Sequence, residues 1–256
     1  MSKIKLPEDQ QVGITEAGDP AFHLEIFDNL KRANIIITKR LTDQLIDKLV
    51  ENKDKVILHL TVTGMGGTKL EPFVPPLQTT LEKAVKLCEK GFPPEHIVIR
   101  IDPIIPTPKG VTNAINVIHD FVKYLPDIKR YRWSSLDMYQ HVKDRFTSIG
   151  AKVPYESFHA PQNYINGLYS MLEGIAKVNE LELEACAEIN QNSPCVSQKD
   201  LDILGITDIE LVGSAEQRKG CHCPANKTEL IKGKPTRCPN SCLYCFWKED
   251  SSDKTQ

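Results

Sequence analysis

Apolar residues along the chain fall into two alternating patterns, short β-branched runs and longer amphipathic stretches. VGIT (Val12–Thr15) is the first run, and a helical stretch from Pro20 to Ala33 follows it. IIIT (Ile35–Thr38) precedes a helix with Thr42 as its N-cap and Leu45, Ile46, Leu49 and Val50 on one face. VILHLTV (Val56–Val62) leads into a helix carrying Leu81, Val85 and Cys88. IVIRI (Ile97–Ile101) leads into one carrying Ile115, Ile118 and Val122, which Pro126 stops. A fifth strand is expected near Tyr131–Leu136. Two helices follow, the second with Tyr164, Ile165, Leu168, Leu172 and Ile175 on one face. LELEACAEI (Leu181–Ile189) and IELV (Ile209–Val212) are the sixth and seventh strands.

Strands that alternate with helices pair in parallel through helical crossovers. The pattern predicts an α/β fold, a TIM-like (β/α) barrel in complete or partial form, with active residues at the carboxyl ends of its strands. From Gly213 onward the periodicity stops, and Cys, Pro, Lys and Asn dominate. The expected organisation is a barrel over 1–212, a cysteine-rich metal-binding loop over 213–247 packed on it, and a disordered tail over 248–256.

With 40% hydrophobic and 26% charged residues the composition is that of a globular domain. A net charge of −2 offers no bulk attraction to nucleic acid or to an anionic membrane. The opening MSKIKLPEDQQ lacks an apolar signal core, and no apolar run approaches a membrane span. A cytoplasmic location is expected, where eight cysteines read as thiols or metal ligands before disulfides.

Five of the eight cysteines fall between Cys221 and Cys245, and sulfur that dense points to metal. Cys238, Cys242 and Cys245 have the spacing C-x3-C-x2-C. Structural zinc takes four ligands around one ion, usually as two pairs at C-x2–4-C spacing. Cys221-x-Cys223 is tighter than that, and the other three make an odd set. In an iron–sulfur cubane each thiolate binds a different iron, so three cysteines can leave one iron open for a non-protein ligand. Cys221 and Cys223 are candidates for a second metal site, for extra ligands to the same cluster, or for redox-active thiols. Two cysteines do not complete a site, so partners such as His222 or Cys195 are needed. Cys88 and Cys186 read as core; Cys195, in a loop after Pro194, stays open.

The loop CPNSCLYC, with Tyr244 just before the last cysteine, resembles the signature loop of radical S-adenosylmethionine (radical SAM) enzymes. That resemblance implies a 4Fe–4S cluster on Cys238, Cys242 and Cys245 whose open iron chelates S-adenosyl-L-methionine. It implies reductive cleavage of that cofactor to a deoxyadenosyl radical, and an electron donor such as flavodoxin or ferredoxin. GDPAF near Gly18, TVTGMGG…LEPFVPPL (Thr61–Leu77), IRIDPI (Ile99–Ile104) and AEQRKGCHC running on to CPNSCLYC (Ala215–Cys245) together resemble a bacterial family known as a domain of unknown function. That family implies a cluster-binding barrel with a distant likeness to spore photoproduct lyase; it does not supply a substrate, and the likeness keeps a nucleobase in view beside a small molecule. Radical SAM enzymes carry the cysteine loop after their first strand; here eleven residues follow Cys245. They also carry GGEP, which meets the cofactor's amino group, after the next strand, whereas AGDP (Ala17–Pro20) stands here after the first. A circularly permuted barrel would bring both motifs together again, because chain termini are often close. The resemblance therefore assigns Gly18, Asp19 and Tyr244 to the cofactor.

Arg100 and Asp102 alternate onto one face of their strand, at a rim closed by Pro103. They are expected either to act on the substrate or to form a buried ion pair. Arg218 is a candidate partner for a carboxylate or phosphate of the cofactor. Phe246 and Trp247 are candidates for an apolar cover over the cluster. His59, Thr61 and Thr63 share a strand face, where a lone His is usually a satisfied core residue. TGMGG (Thr63–Gly67) lacks the Lys and Ser/Thr of a phosphate loop and reads as a strand-end loop. Two alternatives remain: an iron–sulfur protein that transfers electrons or senses redox state without SAM chemistry, and a zinc-stabilised structural or nucleic-acid-binding module.

Overall fold

The computed structural model describes residues 6–188, 193–215, 221–232 and 238–246. Seven parallel strands form one sheet: β1 (Val12–Ile14), β2 (Ala33–Thr38), β3 (Val56–Thr61), β4 (Ile97–Ile104), β5 (Arg130–Ser135), β6 (Glu182–Ala185) and β7 (Lys227–Glu229). Their order is β6-β5-β4-β3-β2-β1-β7. The sheet is open: among the described residues no ladder joins β6 to β7, so the closed TIM-like barrel is not formed. The last strand nevertheless returns to lie beside the first, leaving a seam between β6 and β7.

Alternation along the strands sorts two faces. Leu58, Leu60, Ile97, Ile99, Tyr131 and Trp133 enter the larger core. That core is covered by α1 (Asp43–Glu51), α2 (Leu77–Glu89), α3 (Pro108–Tyr124) and α5 (Gln162–Val178). Each fully buried Leu or Ile there contributes about 2 kcal/mol. Helix α1 starts where its sequence predicts: the Thr42 side chain accepts from Leu45 N at 3.1 Å, and Leu45, Ile46 and Leu49 are buried. On the opposite face Val12, Ile14, Ile35, Ile57 and Val98 meet Val196, Leu201 of α6 (Gln198–Ile203) and Ile209. A third cluster sets Val142 and Phe146 of α4 (Gln140–Ser148) against Cys242 and Tyr244.

Three elements differ from expectation. The stretch 20–33 is not one helix but two 3-10 turns, Pro20–Phe22 and Leu24–Asn29, with Ala33 already in β2. His23 lies between them at φ −141°, outside helical geometry. IELV is not a strand. Its backbone is satisfied by side chains: Asn226 Oδ1 accepts from Val212 N at 2.8 Å, Asn226 Nδ2 donates to Glu210 O at 2.8 Å, and Gln10 Oε1 accepts from Glu210 N at 3.0 Å. The seventh strand is instead Lys227–Glu229, three residues from within the cysteine-rich segment. No described helix is long and apolar enough to cross a membrane.

Candidate metal centre

Because all strands run in parallel, their carboxyl ends share one edge, the usual place for a ligand crevice in such sheets. A cavity of about 250 Å³ lies there. Its wall includes Gly18 after β1, Lys39 after β2, Arg100 and Asp102 of β4, and Ser134 of β5. Cys238, Cys242, Tyr244 and Cys245 line it, as do Cys186, Cys195, Cys221 and Cys223. The fold therefore gathers the predicted cysteine loop, AGDP turn and Arg100–Asp102 pair around one space.

The cysteine loop is tied down from both ends of the chain. Asn240, between Cys238 and Cys242, donates from Nδ2 to Asp19 Oδ2 at 2.6 Å. The same carboxylate accepts from Thr38 Oγ1 at 2.6 Å, from Lys39 N at 3.0 Å and from Ala21 N at 3.1 Å. AGDP and CPNSCLYC are thus adjacent in space. With four donors on its two oxygens, Asp19 is a brace for the loop; Gly18, beside it, faces the cavity.

Tyr244 enters a buried polar knot around Glu71. The Glu71 carboxylate accepts from Thr63 Oγ1 at 2.6 Å, from Lys39 Nζ at 2.9 Å and from the Tyr244 hydroxyl. Lys39 Nζ also reaches Tyr244 Oη at 2.9 Å. Burial opposes ionisation of Glu71, but Lys39, Thr63 and Tyr244 outweigh it and hold its pKa below the ordinary value. Burial likewise opposes charge on Lys39, but Glu71 and then Cys242 hold its pKa above normal. Burial, then the Glu71 charge, keeps the Tyr244 phenol protonated well beyond its usual range. The backbone of the loop is anchored as well. Leu243 N donates to Leu70 O at 3.0 Å, and Arg145 Nη1 donates to Cys245 O at 2.6 Å and to Leu243 O at 3.3 Å. Phe246 stacks on Tyr139 with ring centroids 5.8 Å apart.

Within the trio, Cys242 is buried and the other two are half-buried. Burial raises the Cys242 thiol to about 12, with Lys39 pulling the other way; burial also raises Cys238. As thiolates these side chains would need a cation beside them, which a bound metal would provide. The three sulfurs influence one another as charges, with no hydrogen bond between them among the described residues.

The second group is packed more tightly. Cys186 Sγ and Cys195 Sγ are 4.0 Å apart, and Cys195 N donates to Cys223 Sγ at 3.2 Å. Cys223 is hydrogen-bonded through its thiol to both Cys195 and Cys221. Arg100 Nη1 donates to Cys195 Sγ at 3.5 Å and its other terminal nitrogen pairs with Asp102, which also accepts from Ser134. Hydrogen bonds from Cys186 and Cys223, then the Arg100 and Arg132 charges, carry Cys195 well below the usual thiol range despite its burial. A hydrogen bond from Cys223 lowers Cys221 to about 5. His59 is fully buried nearby, with neither ring nitrogen partnered among the described residues. Burial, then Arg132 and Arg100, keeps it neutral. His222, between Cys221 and Cys223, is exposed. Cys88 packs against the outer core on α2.

Arg218 and Trp247 lie outside the described residues. Sequence reasoning did not assign Lys39, Asn240 or Arg145 to the site, and it left Glu71 without a role. Lys39 had a signal, since it directly follows a predicted strand; Arg145, inside a polar helix, had none. Among the described residues no three His, Cys, Asp or Glu side chains are already gathered about a single-ion position.

A family model described as Domain of unknown function (DUF1848) matches residues 28–247. No curated protein and no solved structure matches the chain.

Proposed function

The chain belongs to the family described as a domain of unknown function, DUF1848, and we propose from the site's own residues that it is a radical SAM-like enzyme acting on a small molecule or nucleobase. The supporting observation is the Asn240–Asp19 hydrogen bond of 2.6 Å, which joins the C-x3-C-x2-C loop to the AGDP turn from the opposite end of the chain. In this reading the sheet is a partial, circularly permuted barrel. Cys238, Cys242 and Cys245 hold a 4Fe–4S cluster.

The residues present suit that group. Three sulfur donors on a short loop, one buried and two half-buried, match a cluster that keeps one iron for an outside ligand. Lys39 offsets the anionic sulfurs from the Cys242 side, and Tyr244 and Phe246 restrict water. When bound, the cluster supplies one electron for reductive cleavage of S-adenosyl-L-methionine. The chain's own part is positioning. Asp19 fixes the loop, and the Gly18 turn borders the space for the cofactor. Arg100 and Asp102 present a paired donor and acceptor to the substrate side, with Ser134 orienting the carboxylate. A one-electron donor such as flavodoxin or ferredoxin completes the cycle.

The test is anaerobic reconstitution of the full chain with iron and sulfide. About four irons and four sulfides per chain are expected at the trio. The electron paramagnetic resonance signal of the reduced cluster should change when S-adenosylmethionine is added, and the C242S variant should lose both. A spectrum indifferent to S-adenosylmethionine would leave an electron-transfer protein. Zinc without sulfide at the trio would leave a structural module.

A further inference from the structure

We propose that Cys186, Cys195, Cys221 and Cys223 form a second metal site, a single divalent ion held tetrahedrally by four thiolates at the seam between β6 and β7. The four come from three separate stretches of chain. Cys186 directly follows β6, Cys195 precedes α6, and Cys221 and Cys223 precede β7. Folding alone brings them together, as an unbroken run of sulfur contacts from Cys186 through Cys195 and Cys223 to Cys221.

Spacing decides the kind of site. Metal–sulfur bonds of about 2.3 Å set the sulfurs of a tetrahedral ion about 3.8 Å apart. Cys186 and Cys195 already stand 4.0 Å apart. A cubane needs its ligands spread around a larger object, so the 4.0 Å pair suits a single ion, about which the remaining sulfurs would have to draw in, since among the described residues no three are gathered about one point beforehand. An all-sulfur donor set selects zinc or iron over hard cations such as magnesium or calcium. Cys221, half-buried at the end of the run, would have to turn inward to close it on one point. Arg100 is already in place as an outer partner, since a metal-bound thiolate keeps lone pairs for its hydrogen bond of 3.5 Å.

The location supplies the reason. β6 and β7 are the two edges of the sheet, and no ladder joins them among the described residues. An ion bridging Cys186 to Cys223 would clamp the two sheet edges where no ladder does. It would also form part of the wall of the cavity that the cysteine trio lines.

The full chain carrying C238S/C242S/C245S is stripped of metal and titrated anaerobically with cobalt(II) alone, which keeps this test independent of the cluster reading. One cobalt per chain is expected, with the intense visible bands of a tetrahedral thiolate complex and a higher thermal unfolding midpoint. Adding C195S or C223S should weaken cobalt binding by at least about 100-fold, the upper end of what even an outer partner is worth. Adding C88S or H222A should leave it unchanged. C221S, at the half-exposed position, should weaken the bands without disturbing the core. Absence of thiolate–cobalt bands, or bands that persist unchanged in C195S, C221S and C223S, overturns the proposal. If the triple variant does not fold, the wild-type chain compared with C223S gives the same answer as a difference of one bound cobalt.

Discussion

Replacing Glu71 by Gln removes one charge from the knot that holds the cysteine loop, and its cost can be worked from the structure. The Glu71 side chain is 1% exposed and that of Lys39 is 17% exposed. Removing one partner of a buried ion pair costs about 3–5 kcal/mol, because the other charge is left uncompensated. Lys39 retains some water, so the lower end, about 3 kcal/mol, applies. For a chain of this size roughly 2–4 °C of melting temperature accompanies each kcal/mol, so E71Q should melt about 6–12 °C below wild type. Urea unfolding followed by fluorescence of the buried Trp133 measures the loss. The double variant K39M/E71Q removes both charges and should recover much of it, giving a coupling energy of about 1–3 kcal/mol. For the proposed cluster the same change predicts weaker iron retention, since Tyr244 loses an ionic anchor next to Cys245. An E71Q chain within about 0.5 kcal/mol of wild type, or a double variant whose cost is the sum of the singles, would refute the argument.

Two further outcomes are expected. Burial opposes the charge of Glu184, but Arg132 and then Arg130 outweigh it and hold its pKa below the ordinary 4.5. Its contribution is therefore full above about pH 4.5 and disappears as pH falls through the lower folded value. In acid unfolding series E184Q should be less stable than wild type at pH 7, and the gap should shrink below pH 4.5; a gap that stays constant removes the pairing from the explanation. Gly66 has no room for a side chain, because an added Cβ would stand 2.0 Å from Pro75 O. G66A should cost about 1–3 kcal/mol in denaturant unfolding. If the proposed cluster forms, G66A should also reduce iron binding, since Gly66 bridges to Glu71; wild-type stability would show that this loop yields freely.

Much of the sheet was readable from apolar periodicity because its strands are buried on both faces and rich in Ile, Val and Leu. Where prediction failed, side chains had taken over the work of backbone pairing. IELV looks like a strand, yet the buried Asn226 and the half-buried Gln10 bond its backbone at Glu210 and Val212. KTE at Lys227–Glu229 carries no apolar signal, yet its backbone completes the sheet against β1. Closure is likewise invisible in a strand count. Seven strands can pair in parallel and still leave β6 and β7 as free edges, as they do here among the described residues.

The site was legible in its sulfur and illegible in its support. C-x3-C-x2-C stands out because three cysteines at that spacing are bound to share one short loop, whatever the rest of the fold does. Lys39, Glu71 and Arg145 announce nothing, since any strand-end lysine, loop glutamate or helix arginine could lie in solvent. Their roles exist only once the fold removes water from them. At that point each charge requires a partner, and the available partners are the phenol and carbonyls of the cysteine loop. The same holds for Asp19, whose two oxygens take four donors from three segments far apart in sequence. A loop held this way from both ends of the chain is fixed by the fold's own hydrogen bonds, so the proposed cluster would meet sulfurs already positioned, and a shell so fixed would not be free to close on an open iron.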